Sequence, residues 1–166
     1  MDVSGWPLER LRVFAVEGDD WWRLEAVRLV AQQRALAAGQ PAEVRRRWAA
    51  LALFANRRTA GDGATRALTQ EFWLRTWVIE RLGPEPGQPD WEAEALADDT
   101  LAALTLTAAD AAARADDWRA LPLDEIRALR RHKNLTAHLA TLVDQLEPGP
   151  RRDQLLPWVR VRGLLP

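Results

Sequence analysis

The chain has no cysteine and no tyrosine, and only one methionine, one lysine and two histidines among its 166 residues. Without cysteine there can be no disulfide, no thiolate metal site and no thiol nucleophile. The same absence fits a reducing compartment, so a cytoplasmic protein is expected. His132 and His138 are too few for a Cys/His zinc centre. No stretch approaches the roughly 20 consecutive apolar residues of a membrane span, so no membrane partner is expected. The opening residues MDVSGWPLERLRV carry acids where a secretory signal would place basic and then apolar residues. A mature chain beginning near Met1 is therefore expected. Gly61 to Gly63 is too short to cradle a phosphate, and no Lys-Ser or Lys-Thr follows it. The acid pairs Asp98/Asp99 and Asp116/Asp117 are adjacent rather than four apart, so on a helix they diverge. A carboxylate metal site split between helices stays open as a minor alternative; the primary expectation is no metal and no cofactor.

What the chain does contain is globular: 48% hydrophobic and 28% charged residues, enough to bury one core. A single helical domain over residues 1–166 is the expectation. The skew of 22 Arg against one Lys, together with abundant Ala, suggests a GC-rich bacterial genome and carries no mechanistic weight. The net charge of −1 is unevenly spread, at +3 over residues 1–83, −9 over 84–125 and +5 over 126–166. Such a division fits solvated helix faces packed side by side; it also fits a self-complementary dimer surface or a phosphate-facing end.

Glycine and proline divide the chain into helix-length segments. From Asp20, a candidate N-cap, to about Ala38, the residues Trp22, Ala26, Leu29 and Leu36 share one face, and Gly39 is the stop. Pro41 suits a first helical position; Val44, Trp48, Leu51 and Ala55 then recur at helical spacing to about Arg58. Residues 65–82 carry Leu68, Phe72, Ile79 and Leu82 on one stripe and Trp73 and Trp77 on another, as a central helix buried on two sides would. After a loop at 83–89, Leu101, Leu104, Ala108, Ala111, Ala115 and Trp118 keep steps of three and four, which predicts one long acidic helix capped by Asp90. A fifth helix is expected from Pro122 or Asp124 to about Leu146, and a short final stretch over 150–166 is interrupted by Pro157. Residues 158–162 come nearest to strand alternation and are too few for a sheet. The predicted fold is all-α, an up-and-down bundle of about five helices plus a short C-terminal helix. Of the nine tryptophans, Trp48, Trp73, Trp77 and Trp118 are expected in the core, while Trp21 and Trp22, being adjacent, cannot both point inward.

The segment IRALRRHKNLTAHLATLVDQL carries the one polar constellation with chemical content. Arg127, Arg131, Asn134, His138, Thr141 and Gln145 recur at four, three, four, three and four residues, one polar stripe on a continuous helix. Leu135, Leu139, Leu142 and Leu146 form the apolar stripe beside it. His132 falls near the apolar side, where a satisfied buried histidine is expected. His138 stands two helical turns after Arg131, so that guanidinium and imidazole can reach one anion.

Arg131-His132-Lys-Asn-Leu-Thr-Ala-His138, late in a Trp-rich helical chain, resembles the motif of HEPN domains: an Arg, a polar residue and a His after four to six intervening residues. The form from Leu129 to Leu139 is most similar to the abortive-infection branch. The resemblance implies a helical bundle that dimerises and joins two motifs in one cleft. It also implies a metal-independent endoribonuclease of a toxin–antitoxin or phage-defence system, with RNA as substrate and an antitoxin protein as a partner. In that reading Arg131 and His138 are catalytic: His moves protons at the 2′-hydroxyl and the leaving oxygen, and Arg131 clamps the phosphate. Arg127 and Asn134 bind substrate. The alternative is a non-catalytic helical binding or adaptor module that holds nucleic acid or a protein through Arg45 to Arg47, Arg57, Arg58 and the basic end.

Overall fold

A computed structural model describes residues 2–18, 20–59 and 64–166. The expectations placed on Met1 and on Gly61 to Gly63 lie outside them. Among the described residues the chain is all-helical, with no strand. Its helices are α1 (Leu8–Glu17), α2 (Trp21–Leu36), α3 (Ala42–Thr59), α4 (Ala64–Leu82), α5 (Ala93–Ala103), α6 (Ala108–Ala115), α7 (Leu123–Leu135), α8 (Leu139–Gln145) and α9 (Pro150–Val161). Short 3-10 turns lie at Pro89–Trp91, Trp118–Ala120 and Arg162–Leu164. None of these helices is long and apolar enough to cross a membrane. The chain forms two compact units, Met1–Leu74 and Arg75–Pro166, with the division inside α4.

In the first unit, α2 and α3 pack along their lengths and α1 adds to them. Leu11, Ala15, Leu24, Val27, Ala31, Ala35, Trp48, Leu51, Leu53 and Phe72 are buried there. Arginines close the helix ends, because the last carbonyls of a helix have no partner within it. Arg45 Nε donates to the Ala35 carbonyl of α2 at 2.8 Å, and Arg58 donates to Ala15 and Val16 at the end of α1, at 2.7 and 2.9 Å. Arg34 holds the segment before α1 by donating to the carbonyls of Trp6, at 2.6 Å, and Ser4.

The inward face of α2 is not the one its Trp22, Ala26, Leu29 and Leu36 spacing predicts. Leu24, Val27, Ala31 and Ala35 are buried; Trp22 and Leu29 are 44% and 53% exposed, and Ala26 and Leu36 are half-buried. The helix carries two apolar stripes, and the smaller side chains take the interior because they allow α3 to approach closely. The second stripe of α4 also departs from expectation: Trp73 is exposed and Trp77 half-buried.

The second unit has more, shorter helices than the sequence spacing suggests. The long acidic helix is two helices, α5 and α6, because Thr107 begins a new one: its Oγ1 accepts from the Asp110 backbone N–H at 3.1 Å and donates to the Asp110 carboxylate at 2.7 Å. Arg75, almost wholly buried, donates from Nε to the Asp90 carbonyl at 3.0 Å and from Nη2 to Pro89 at 2.9 Å, and pairs with Asp99 at 2.5 Å, fixing the turn that leads into α5. Residues 158–162 lie in α9 and the 3-10 turn after it, with Pro157 inside the helix.

The helix expected over 122–146 is broken into α7 and α8. The break falls at Thr136, whose hydroxyl donates back to the carbonyls of His132, at 2.7 Å, and Lys133, at 3.2 Å. The Ala137 and Leu139 N–H groups then donate three residues back, to Asn134 and Thr136. Three residues wound at about 120° instead of 100° each rotate the downstream helix by about 60°.

Two substitutions on α2 test its assigned faces. Leu24→Ala should cost about 2–5 kcal/mol of unfolding free energy and Leu29→Ala less than about 0.5 kcal/mol. Urea unfolding followed by tryptophan fluorescence, in dilute solution, measures both; equal losses would contradict the orientation of α2.

Candidate functional site at the α7–α8 break

The two histidines flank the break, and both are buried. His132 is fully enclosed and held at both ring nitrogens. Nδ1–H donates to the Ala128 carbonyl one turn back at 2.7 Å, while Nε2 accepts the backbone N–H groups of Thr105 and Leu106 at 3.1 and 3.2 Å. This arrangement fixes the neutral Nδ1–H tautomer, since a proton on Nε2 would face two donors. The ring also stacks on Trp158 of α9, with centroids 5.4 Å apart and planes at 10°. Burial, with Arg131 nearby as a smaller cause, lowers its pKa against the pull of the Ala128 carbonyl. His132 therefore ties the α5–α6 corner and α9 to α7, which is the satisfied interior role its position on the apolar side suggests.

His138 enters the second unit at the same break. It is 6% exposed, and its Nε2 lies 3.3 Å from Thr100 Oγ1 on α5, whose own proton goes to the Leu96 carbonyl at 2.7 Å. Burial and, second, the Arg75 guanidinium push its pKa down to about 4, against an upward pull from the Leu135 carbonyl. At neutral pH only roughly one such imidazole in a thousand is protonated, too few for an efficient proton donor.

The other members of the predicted stripe separate from it. Arg127 and Asn134 are exposed on α7 and Arg131 is half-buried, its Nε enclosed and without a hydrogen-bond partner. Arg130, which the motif does not use, is exposed beside them. The side chains of Arg127, Arg130 and Asn134 have no hydrogen bond or ion pair among the described residues. The structure thus brings Arg127, Arg130, Arg131 and Asn134 onto the outer side of α7 and turns His138 inward toward Thr100. No comparison names a relative: no family model, curated protein or solved structure matches the chain.

Sequence reasoning missed Thr100, Thr105 and Arg75, which set the environment of the two imidazoles. The signal for the α5–α6 corner was present as Thr107-Ala-Ala-Asp110, a capping pattern, but the three- and four-residue apolar steps run across it. Nothing in the local sequence marks Thr100 or Arg75, since their roles arise from contacts far along the chain. Among the described residues no group of three or more His, Asp or Glu side chains gathers as metal ligands.

Stability should depend on pH through His138. Its pKa is about 4 in the folded chain against an ordinary 6.5, so below pH 6.5 the unfolded chain takes up a proton that the folded chain refuses. Stability is then complete above pH 6.5 and falls toward pH 4, by on the order of 3 kcal/mol. His138→Gln should flatten that slope in urea unfolding series across the same pH range; an unchanged slope would show that this imidazole is not the titrating group.

Proposed function

We propose that this chain is a non-catalytic helical module that binds RNA through the outer face of α7. The observation that carries the reading is the set of unpaired arginines on that face. Arg127, Arg130 and Arg131 lie three, one and four residues apart with Asn134 one turn further on, and residues 126–166 hold a net charge of +5. Elsewhere in the chain many arginines are committed: Arg34, Arg45 and Arg58 to carbonyls, Arg28 to Glu25, Arg75 to Asp99 and Arg151 to Asp98. Guanidiniums three and four apart on a helix sit about 5–6 Å from one another and bind phosphate oxygens in a bidentate manner, so they can follow a phosphate backbone. Such contacts give affinity without much sequence discrimination.

The HEPN-like reading, a metal-independent endoribonuclease with Arg131 and His138 catalytic, a homodimeric cleft and an antitoxin partner, stands second. The unpartnered Nε of Arg131 favours it, because an enclosed donor with no acceptor is what a phosphate would satisfy. The enclosure of His138 weighs against it, because that ring would have to leave its Thr100 contact and regain a higher pKa to donate a proton.

Fluorescence anisotropy with a labelled single-stranded RNA in EDTA separates the readings. The module should bind with affinity that falls as salt rises, with a slope near −2 for about three phosphate contacts, and should leave the RNA intact. Arg127→Ala and Arg130→Ala should each weaken binding several-fold and make the salt slope shallower by about 0.7. Absence of salt-sensitive binding would end this reading, and cleavage lost in both Arg131→Ala and His138→Ala would replace it with the nuclease.

A further inference from the structure

A cleft of about 290 Å³ lies within the first unit, where the starts of α2 and α4 meet the end of α3. Its polar side chains have bonding capacity that the fold does not use. Asn56, only 3% exposed, lines it. The Asn56 Nδ2 donates to the Ala67 carbonyl at 2.8 Å, which fixes the amide; its Oδ1 is left accessible and accepts no hydrogen bond among the described residues. A side-chain amide this buried ordinarily has both ends satisfied. Thr59 gives its hydroxyl proton to the Asn56 carbonyl at 2.8 Å, so toward the cleft it can only accept. Gln70, half-buried on the same cleft, has neither end of its amide bonded. Trp21 also lines it and is 71% exposed, which leaves most of the indole open to a ring laid against it.

We infer that this cleft binds a nucleotide whose base carries an exocyclic amine, adenine above all, as a free mononucleotide or as one residue of a strand. The amine of adenine has two hydrogens for acceptors such as Asn56 Oδ1, and the ring nitrogen beside it accepts, which suits the Gln70 amide, able to do both. Hypoxanthine and uracil carry a carbonyl where that amine would be, and oxygen would then face oxygen at Asn56. Charge fits a phosphate. Both oxygens of Glu25 are taken by Arg28 at 2.7 Å, while Arg66, its side chain 78% exposed, stands 3.6 Å from the same carboxylate, beyond hydrogen-bond reach. One carboxylate thus faces two guanidiniums, and that of Arg66 is left for an anion. An apolar ligand would leave Asn56 Oδ1 covered and without a donor, and a cationic one would meet the surplus positive charge. The site uses none of the α7 arginines, so it stands or falls apart from the proposed RNA face.

Isothermal titration calorimetry of the full chain with AMP, IMP and UMP tests this. AMP should bind, and IMP and UMP should bind about tenfold more weakly or less. Trp21→Ala and Gln70→Ala should each weaken AMP about tenfold, and Arg66→Ala should weaken AMP several-fold while leaving adenosine unchanged. Trp21 and Arg66 are largely exposed, so their variants should keep the wild-type circular dichroism and unfolding midpoint. A strand as the source would show as tighter binding of a short oligoadenylate than of AMP, with the gain lost in Trp21→Ala; a free nucleotide would show as AMP binding at least as tightly. Absence of AMP binding, equal affinity for AMP and IMP, or AMP binding indifferent to Trp21→Ala would each overturn the assignment.

Discussion

The second unit depends on keeping two imidazoles uncharged and out of water. His132 contributes one acceptor nitrogen to two backbone N–H groups at the α5–α6 corner, where no helical carbonyl is available, and one N–H to its own helix. His138 lies against Thr100 on α5 from the start of α8. The His132 contact works only with a neutral ring, and burial lowers the pKa of both imidazoles by penalising the charged form. Residues that look like a catalytic inventory in the sequence thus join α5, α7, α8 and α9 into one core.

The break between α7 and α8 decides which residues reach solvent. A continuous helix would carry Arg131 and His138 on the same side, two turns apart. The tighter turn over Thr136 to Leu139 sends His138 inward and leaves the arginines of α7 outside. That turn separates the two halves of the predicted pair, leaving a cationic helix face without an imidazole beside it on the surface.

The helical class was legible because apolar residues recur at three and four throughout, and the satisfied role of His132 followed from its place among leucines. The helix breaks were not, because the apolar steps of three and four run straight across both of them, at Thr107 and at Thr136. The orientation of α2 was ambiguous in principle: two stripes of similar hydrophobicity lie on one helix, and only the packing against α3 selects between them. Of the predicted site, the arginines and Asn134 could be placed from spacing along one helix. The surroundings of His138 could not, since Thr100 and Arg75 lie 38 and 63 residues away in the chain. The abundance of arginine, uninformative as composition, acquires a structural meaning where guanidiniums close helix ends and leave those of α7 conspicuously unpaired.

The central claim, that His138 is held neutral in the interior, is accessible to NMR titration of the imidazole Cε1–H signals, of which the chain has only two. The signal of His138, assigned by its loss in His138→Gln, should titrate near pH 4. A midpoint near 6.5 with the fold intact would place the ring in solvent and contradict the account.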